Sequence, residues 1–477
     1  MRNSKIIIIL LFILCLWACK PETFTYNTSD KLTFNYDTIV FDTIISKIYQ
    51  GTPKSVNRQF VVRNPHEQSI KTTITLAGGT SSTFRMNVDG ESGIFFENIV
   101  IKPHDSIYVF VEAYANPNHN PAGNPLILRD SITCKTNGNL QNVQLVAWGQ
   151  DANFYFSDST STDLIWDDKT KPYVVYDYFK VKNNATLTIK EGVKVYFSPY
   201  SALWIQGTLK VEGTNTEPVI FEGDRTSDKY SDKFTVYKYF NIPGQWFGII
   251  FQYPSKANIV KHARIKNATV GIFMDSVSLD ANPVVKIYNT TIQNMTYNAV
   301  RGTRSKVYAE NSVFSNCGSA CIYTFKGGDY DLRHVTISGF CDFSGGNDPA
   351  LAVTNRLRNQ FGFVLETYPI SFSIQNSIVW GELKEEVMLD IEESKLIALL
   401  PFNSVFKTTS ATLSQAGTNN LINKNPEFKD YSKYNFDLDT LSAAKDIGKI
   451  LNPQISTDYM NRIRDSKPDA GAFERKE

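Results

Sequence analysis

A five-residue unit recurs through the second half of the chain, and its pattern decides the fold. In each copy a polar residue, usually asparagine, is followed three positions later by an apolar residue. The copies are HARIK (262–266), NTTIQ (289–293), NSVFS (311–315), HVTIS (334–338), NSIVW (376–380) and NSVFK (403–407). Successive copies begin 22 to 27 residues apart, except for one interval of 42. This regularity predicts an array of similar structural units, with a long insertion or two units in the wide interval.

A period in the low twenties fits a right-handed parallel β-helix. Each coil of such a helix lies about 4.8 Å from the next, so equivalent apolar residues form inward ladders. Asparagine suits the corners because it tolerates left-handed backbone angles, and its amide can bond the amides of neighbouring coils. A leucine-rich repeat has a similar period, but its leucine framework is missing here.

The composition also favours an all-β protein. The 477 residues include 31 Phe and 24 Tyr, and aromatic residues are enriched in strands. Lys and Arg total 49 against 48 Asp and Glu, so the chain lacks the strong positive field that draws proteins to polyanions. We therefore expect no nucleic-acid partner.

Residues 31–151 predict a separate β-sandwich. Short alternating runs, such as 58–63, 72–76 and 107–112, are separated by turn dipeptides that include Asn64-Pro65 and Gly78-Gly79. This spacing of short strands and turns is typical of a sandwich. The predicted architecture is therefore an N-terminal β-sandwich followed by a right-handed parallel β-helix with a C-terminal cap over 152–477.

Both regions resemble a known group. The runs FVVRNP (60–65) and AWGQD (147–151) look like the immunoglobulin-like modules of surface lipoproteins from Bacteroides-type bacteria. The runs LTIKEGVKVYF (187–197), GTLKVEGT (207–214) and PGQWFGI (243–249) look like the opening coils of the pectate-lyase-like β-helix lipoproteins of such bacteria. The run PDAGAFE (468–474) is similar to their closing segment, which implies a cap on the last coil. These motifs define a fold, and most members of the group have no established activity.

The first residues predict export and lipidation. Arg2 and Lys5 precede an apolar stretch, and Ala18 stands directly before Cys19. This order is typical of a signal peptide over 1–19, and the cysteine resembles the acylated residue of bacterial lipoproteins. Residues 20–30 are polar and predict a tether. We expect an outer-membrane protein, held through its N-terminal lipid, that faces the periplasm or the cell surface.

Two sets of acidic residues are candidates for chemistry. The run 386–392 alternates apolar and acidic residues and predicts a strand with Glu386, Asp390 and Glu392 on one exposed face. Asp329 and Asp331 share a strand face by the same parity. Paired carboxylates on a β-helix could hold Ca²⁺ or act on a glycoside. The alternative is a solvated outer face or, for 386–400, a short amphipathic helix.

Aromatic residues between 237 and 253 are candidates for ligand binding. Trp246, Tyr239 and Tyr253 belong to this group, and aromatic rings can stack on the apolar faces of sugars. An elongated β-helix offers a surface long enough for a polymer. The alternative is that these rings pack in the core or the cap.

The chain contains no linear catalytic or phosphate-binding motif. No metal site and no cofactor is expected beyond the Ca²⁺ considered above. The leading hypothesis is a noncatalytic lipoprotein that binds a glycan or another cell-surface partner through its β-helix. The alternatives are a polysaccharide lyase or glycoside hydrolase, and an adhesion protein.

Overall fold

The chain forms two compact units, Met1–Asp151 and Ala152–Glu477. The computed structural model describes residues 22–45, 57–113, 126–150, 152–224, 242–275, 277, 281–343, 348–415 and 417–475. Cys19 and Tyr239 lie outside these ranges. Within them, no helix has the length and apolarity needed to cross a bilayer.

The first unit is a β-sandwich of two five-stranded sheets with the orders β1-β3-β8-β5-β6 and β2-β10-β9-β4-β7. Inward residues of both sheets, including Phe41, Phe60 and Val109, form one buried core. A short 3-10 turn spans Gly79–Ser81. The strands are β1 (Thr33–Phe34), β2 (Thr38–Ile45), β3 (Asn57–Arg63), β4 (Ile70–Leu76), β5 (Phe84–Val88), β6 (Glu91–Gly93), β7 (Phe95–Ile101), β8 (Ser106–Ala113), β9 (Leu126–Thr136) and β10 (Asn139–Gln150).

Residues 23–30 are part of the first unit and bond its sandwich, which corrects the expectation of a free tether over this stretch. Thr25 is buried, and its backbone N–H donates to the carbonyl oxygen of Ser69 at 3.1 Å. The Asn139 side-chain amide donates to the carbonyl of Thr28 at 2.7 Å. These bonds stabilise the segment because they satisfy backbone groups that would otherwise need water.

The second unit is built from short strands that pair almost entirely in parallel. Two 3-10 turns span Glu393–Lys395 and Tyr431–Lys433. The strands are β11 (Asn153–Thr160), β12 (Leu164–Trp166), β13 (Tyr173–Val181), β14 (Thr186–Lys190), β15 (Lys194–Phe197), β16 (Ala202–Ile205), β17 (Thr208–Glu212), β18 (Val219–Gly223), β19 (Gly248–Phe251), β20 (Asn258–Lys261), β21 (Ala263–Lys266), β22 (Ile272–Met274), β23 (Val285–Tyr288), β24 (Thr291–Met295), β25 (Val300–Glu310), β26 (Val313–Cys317), β27 (Ile322–Arg333), β28 (Thr336–Gly339), β29 (Leu351–Thr354), β30 (Arg356–Arg358), β31 (Val364–Thr367), β32 (Ile370–Gln375), β33 (Ile378–Gly381), β34 (Val387–Asp390), β35 (Leu396–Phe402), β36 (Val405–Phe406), β37 (Leu421–Ile422), β38 (Phe428–Asp430) and β39 (Asn435–Leu438).

Each coil contributes a strand to three parallel stacks, which we term sheets A, B and C. Sheet A contains the start of β13 and then β15, β18, β21, β24, β26, β28, β33, β36 and β37. Sheet B contains the end of β13, β16, β19, β22, the starts of β25 and β27, β29 and β34. Sheet C contains β12, β14, β17, β20, β23, the ends of β25 and β27, β32 and β35.

Apolar residues in equivalent positions stack inside the coils. In sheet A, Phe221, Ile265, Ile292, Phe314 and Ile337 follow one another in register, and all five are buried. This continuous interior explains why the apolar position of the five-residue unit repeats. The predicted fold class, a β-sandwich followed by a parallel β-helix, is confirmed.

The wide interval in the repeat contains one coil with an insertion. Between His334 and Asn376 the chain forms β29 and β32, as in an ordinary coil, and inserts the antiparallel pair β30–β31 between them. Of the two sequence-based explanations, the long insertion is therefore the correct one.

The first residue of every five-residue unit has a left-handed backbone, as predicted, with φ between 46° and 52°. The predicted stacking of their amides is only partly correct. The side-chain amide of Asn376 bonds the ring of His334. The asparagine amides also donate to backbone carbonyls of residues 425–475, which we term the C-terminal segment: Asn289 to Asp458, Asn311 to Thr457, Asn376 to Lys449 and Asn403 to Ile447. A continuous asparagine ladder stands at a different corner, where Asn294 bonds both Asn267 and Asn316.

The C-terminal segment covers the outer face of sheet A, which corrects the expected cap on the last coil. Ala470 and Leu438 pack on Ile378 and Val405 of sheet A. Ala472 packs on Val313, two coils earlier than Ile378. This position follows from the apolar outward residues of sheet A, which need cover from water.

Candidate ligand-binding face

The outer face of sheet B carries an in-register row of large side chains. Alternate residues of a strand point to opposite faces, so each strand of sheet B has inward residues in the core and outward residues on the other face. The outward row, which we term the outer ladder, is Lys180, Trp204, Ile250, Phe273, Arg301, Tyr323, Ala352 and Met388. Trp204, Phe273, Arg301 and Tyr323 are half-buried and Met388 is exposed, whereas Ile250 and Ala352 are buried.

Arg301 stands at the centre of the outer ladder, among aromatic rings. Its guanidinium carbon lies 5.5 Å from the ring centroid of Phe273, 5.6 Å from that of Tyr323 and 5.5 Å from that of Phe325. Its Nε is shielded from solvent and has no hydrogen-bond partner in the described part of the chain. Cation–π contacts hold the guanidinium in place, but no carboxylate among the described residues forms an ion pair with it.

Two further cations stand at the turn between sheets B and C. Arg304 and Lys326 occupy corresponding turns of successive coils, and each approaches the ring of Tyr368, at 4.8 Å and 6.0 Å from its centroid. Neither forms an ion pair with a described carboxylate. The corner therefore combines positive charge with aromatic surface.

Asp390, one of the predicted acids, lies on the outer face of sheet B and is held by two arginines. Its carboxylate accepts hydrogen bonds from Arg356 Nη1 at 2.8 Å and from Arg358 Nε and Nη2 at 3.0 and 2.8 Å. The bond from Arg358 and the nearby positive charge hold the pKa of Asp390 below its usual value, although partial burial opposes them. Glu392 bonds Arg356 at 3.3 Å.

The expected exposed face with Glu386, Asp390 and Glu392 is wrong for Glu386, which is fully buried. Strand β34 begins only at Val387, and the preceding side chain turns inward over Gly339 and Gly381, where a Cβ atom would collide with the carboxylate. The Glu386 carboxylate accepts the backbone N–H groups of Ala350 at 3.0 Å and Leu383 at 2.8 Å. Burial raises its pKa. No α-helix forms over 386–400; the regular structure of this stretch is strand and the short 3-10 turn Glu393–Lys395.

Asp329 and Asp331 lie on the outer face of sheet C, as their parity predicts, in register with Lys306 and Tyr308. Asp331 is bonded to Arg333 at 2.7 to 3.0 Å. These two acids are on a different sheet from Asp390, so the two predicted acidic sets do not converge. The described residues contain no group of three or more His, Cys, Asp or Glu side chains placed to hold a metal ion.

Trp246, predicted as a ligand-binding residue, is buried in the core instead. Its ring stacks on Phe197 with a centroid distance of 4.0 Å, and its Nε1 donates to the carbonyl of Lys266 at 2.8 Å. Tyr253 is 64% exposed and follows sheet B at the turn toward sheet C. Tyr239, the third predicted aromatic residue, falls in a stretch that the structure does not describe.

The outer ladder was not predicted, although the sequence contains a signal for it. Arg301, Tyr323 and Met388 each lie twelve residues after the first residue of a five-residue unit. Once the unit is aligned, this offset marks an outward position of sheet B. The aromatic character of the ladder appears only when residues from separate coils are placed side by side.

The fold defines an all-β protein with a parallel β-helix, and the comparisons add no family to this description. No protein-family model matches the chain, and no curated protein matches it. A family 123 glycoside hydrolase from Clostridium perfringens shares 9% identity over 26% of this chain and 26% of its own length, with a TM-score of 0.19. The catalytic domain of a GH87 alpha-1,3-glucanase, in complex with tetrasaccharides, shares 10% identity over 83% and 85% of the two chains, with a TM-score of 0.16. The ASH/PapD-like domain of human CEP192 shares 13% identity over 28% of this chain and 92% of its own, with a TM-score of 0.17. TM-scores this low carry no argument about function.

Proposed function

We propose that this chain is a noncatalytic outer-membrane or cell-surface lipoprotein, anchored through a lipid on Cys19, that binds a glycan along the outer ladder of sheet B. The observation that carries the proposal is the row Trp204, Phe273, Arg301 and Tyr323, brought into one line by four different coils. Aromatic faces are complementary to the apolar faces of sugar rings.

The length of the outer ladder suits a polymer. Its eight members belong to successive coils, and coils stack about 4.8 Å apart, so the row extends over roughly 30 Å. A surface of this length can contact several sugar units in succession. The guanidinium of Arg301 adds donors for sugar hydroxyl or carboxylate oxygens.

The geometry of the acids favours binding over catalysis. A general base or a Ca²⁺ ligand needs a free carboxylate oxygen, but both oxygens of Asp390 accept bonds from arginines. Glu386 is buried under backbone amides. Both oxygens of Asp331 likewise accept bonds from Arg333, so the alternative of a polysaccharide lyase or glycoside hydrolase depends mainly on Asp329, on the outer face of sheet C.

Affinity gel electrophoresis of the purified protein against acidic and neutral polysaccharides tests the proposal. We expect at least one polysaccharide to retard the protein, and we expect the Trp204→Ala and Tyr323→Ala variants to weaken this binding by about tenfold each, which corresponds to ~1.4 kcal/mol. Tyr288→Ala is the matched control, because Tyr288 is a half-buried aromatic residue on the outer face of sheet C. Equal losses in all three variants, or no retardation by any polysaccharide, would contradict the proposal.

The same incubations, with and without Ca²⁺, distinguish a binder from an enzyme. New reducing or unsaturated ends that disappear in an Asp329→Ala/Asp331→Ala variant would favour the lyase or hydrolase. The anchor is tested separately: Cys19→Ala is expected to abolish incorporation of a radiolabelled fatty acid.

A further inference from the structure

The inserted hairpin β30–β31 presents a run of apolar side chains to solvent. Phe361 is 74% exposed, Phe363 70%, Leu365 59% and Val364 43%. These residues are nearly consecutive, so the tip of the hairpin concentrates exposed apolar surface. Large apolar patches on soluble proteins mark sites that contact another molecule or a membrane.

The tip of this hairpin satisfies its own backbone polar groups. The side-chain oxygen of Asn359 accepts the N–H groups of Phe361 at 2.9 Å and Phe363 at 3.0 Å. The backbone of Asn359 exchanges bonds with Gly362 and Phe363, both at 3.0 Å. Arg358 Nη1 donates to the carbonyl of Gly362 at 2.8 Å. A turn bonded in this way can leave water without exposing many unpaired N–H and C=O groups.

The base of the hairpin is fixed to the β-helix. Arg356 and Arg358, both in β30, bond Asp390 of sheet B, and Arg356 also donates to the carbonyl of Ile391 at 3.1 Å. The apolar tip is therefore held in one position and does not need ordering when it binds, which lowers the entropic cost of association.

We propose that this hairpin inserts its tip, residues 361–365, into the interfacial region of a lipid bilayer. Three features fit a bilayer: the apolar rings at the tip, the bonded backbone, and the position of Tyr368, Arg304 and Lys326 at the base. Tyrosine is favoured at the level of lipid headgroups, and the two cations complement headgroup phosphates. This contact is separate from the lipid on Cys19 and does not depend on glycan binding.

Site-specific fluorescence tests the insertion. An environment-sensitive dye on Phe363→Cys is expected to give blue-shifted, brighter emission when the full chain meets vesicles of phosphatidylethanolamine and phosphatidylglycerol. The same dye on Leu441→Cys, a residue that is 87% exposed in the second unit, is the matched control and is expected not to shift. Because both labelled proteins share one N-terminus, a lipid on Cys19 affects them equally.

A second variant tests the energetics without a label on the tip. Phe361→Ser/Phe363→Ser is expected to lower the vesicle affinity of the unlipidated Cys19→Ala chain at least tenfold, because the variant loses the apolar area of two phenylalanine rings that would be buried in the bilayer. Far-ultraviolet circular dichroism verifies that the variant folds. An unshifted dye on Phe363→Cys, an equal shift at both labelled positions, or a shift that requires an added protein would overturn the proposal.

Discussion

The buried pair Arg464–Glu474 offers the sharpest test of how the C-terminal segment is held on sheet A. Both side chains are almost fully buried, and Arg464 Nη1 donates to Glu474 Oε2 at 3.0 Å. Arg464 Nη2 also donates to Asn311 Oδ1 at 2.9 Å and to the carbonyl of Gly471 at 3.0 Å. One guanidinium thus connects the end of the chain to a corner of the β-helix.

Arg464→Met removes the positive charge and leaves the Glu474 carboxylate buried without it. Removing one partner of a buried pair costs about 3–5 kcal/mol, and we expect a loss of this size in the free energy of unfolding of the second unit at neutral pH. Urea denaturation followed by tryptophan fluorescence measures it. Arg475→Met is the matched control, because Arg475 is a neighbouring arginine with a solvent-exposed bond to Thr440.

The pH dependence supplies a second readout of the same pair. Burial raises the pKa of Glu474, and Arg464 opposes this rise. In Arg464→Met the pKa of Glu474 is expected to rise further. A carboxyl group whose pKa is raised in the folded state stabilises the fold at low pH, and this contribution is lost as pH rises. The variant's defect is therefore expected to shrink as pH falls toward 4. A loss below about 1 kcal/mol at neutral pH, or a defect that grows in acid, would refute the assignment of a buried ion pair.

Three further predictions concern the β-helix itself. Because Arg358 lowers the pKa of Asp390, we expect the hairpin β30–β31 to be attached to sheet B above the usual aspartate pKa and to detach as pH falls through the lowered pKa. Limited proteolysis of the hairpin measures this, and the hairpin of Asp390→Asn is expected to be cleaved even at neutral pH. Phe314→Ala removes a buried ring from the core and is expected to lower the free energy of unfolding, measured by urea denaturation, by about 3–5 kcal/mol. The control Phe361→Ala, at an exposed position, is expected to lower it by less than about 0.5 kcal/mol. Asn294→Ala interrupts the asparagine ladder and is expected to lower the free energy of unfolding by about 1–3 kcal/mol, because the buried amides of its neighbours lose a hydrogen-bond partner. Thermal unfolding measures this loss, with Asn419→Ala as the exposed control.

The inward pattern of the β-helix could be predicted from the sequence because it depends on neighbours one coil apart. The apolar residue of each unit, such as Ile292 or Phe314, must be buried whatever the rest of the chain does. Asparagine is favoured at the left-handed corner for a local steric reason, although histidine occupies two of the six corners. Both requirements repeat with every coil, so they appear as a periodic pattern in the linear sequence.

The candidate site was largely missed because it depends on how separate coils align. Trp246 was taken as a possible sugar platform, but Phe197 of the preceding coil stacks on it and buries it. Glu386 has the parity of an outward residue, yet the absence of side chains at Gly339 and Gly381 lets it turn inward. Phe197 and Gly339 belong to neighbouring coils and lie far from Trp246 and Glu386 in sequence.

The sequence by itself determined a periodic all-β architecture, because strand alternation and corner geometry are local properties that repeat along the chain. Only the tertiary structure decided which outer faces are free. The C-terminal segment bonds Asn311 and packs on Ile378, and so covers sheet A, while among the described residues Trp204, Arg301 and Tyr323 of the outer ladder stay partly exposed. These outcomes depend on contacts between residues far apart in the chain, and such contacts become visible only when the coils are placed side by side.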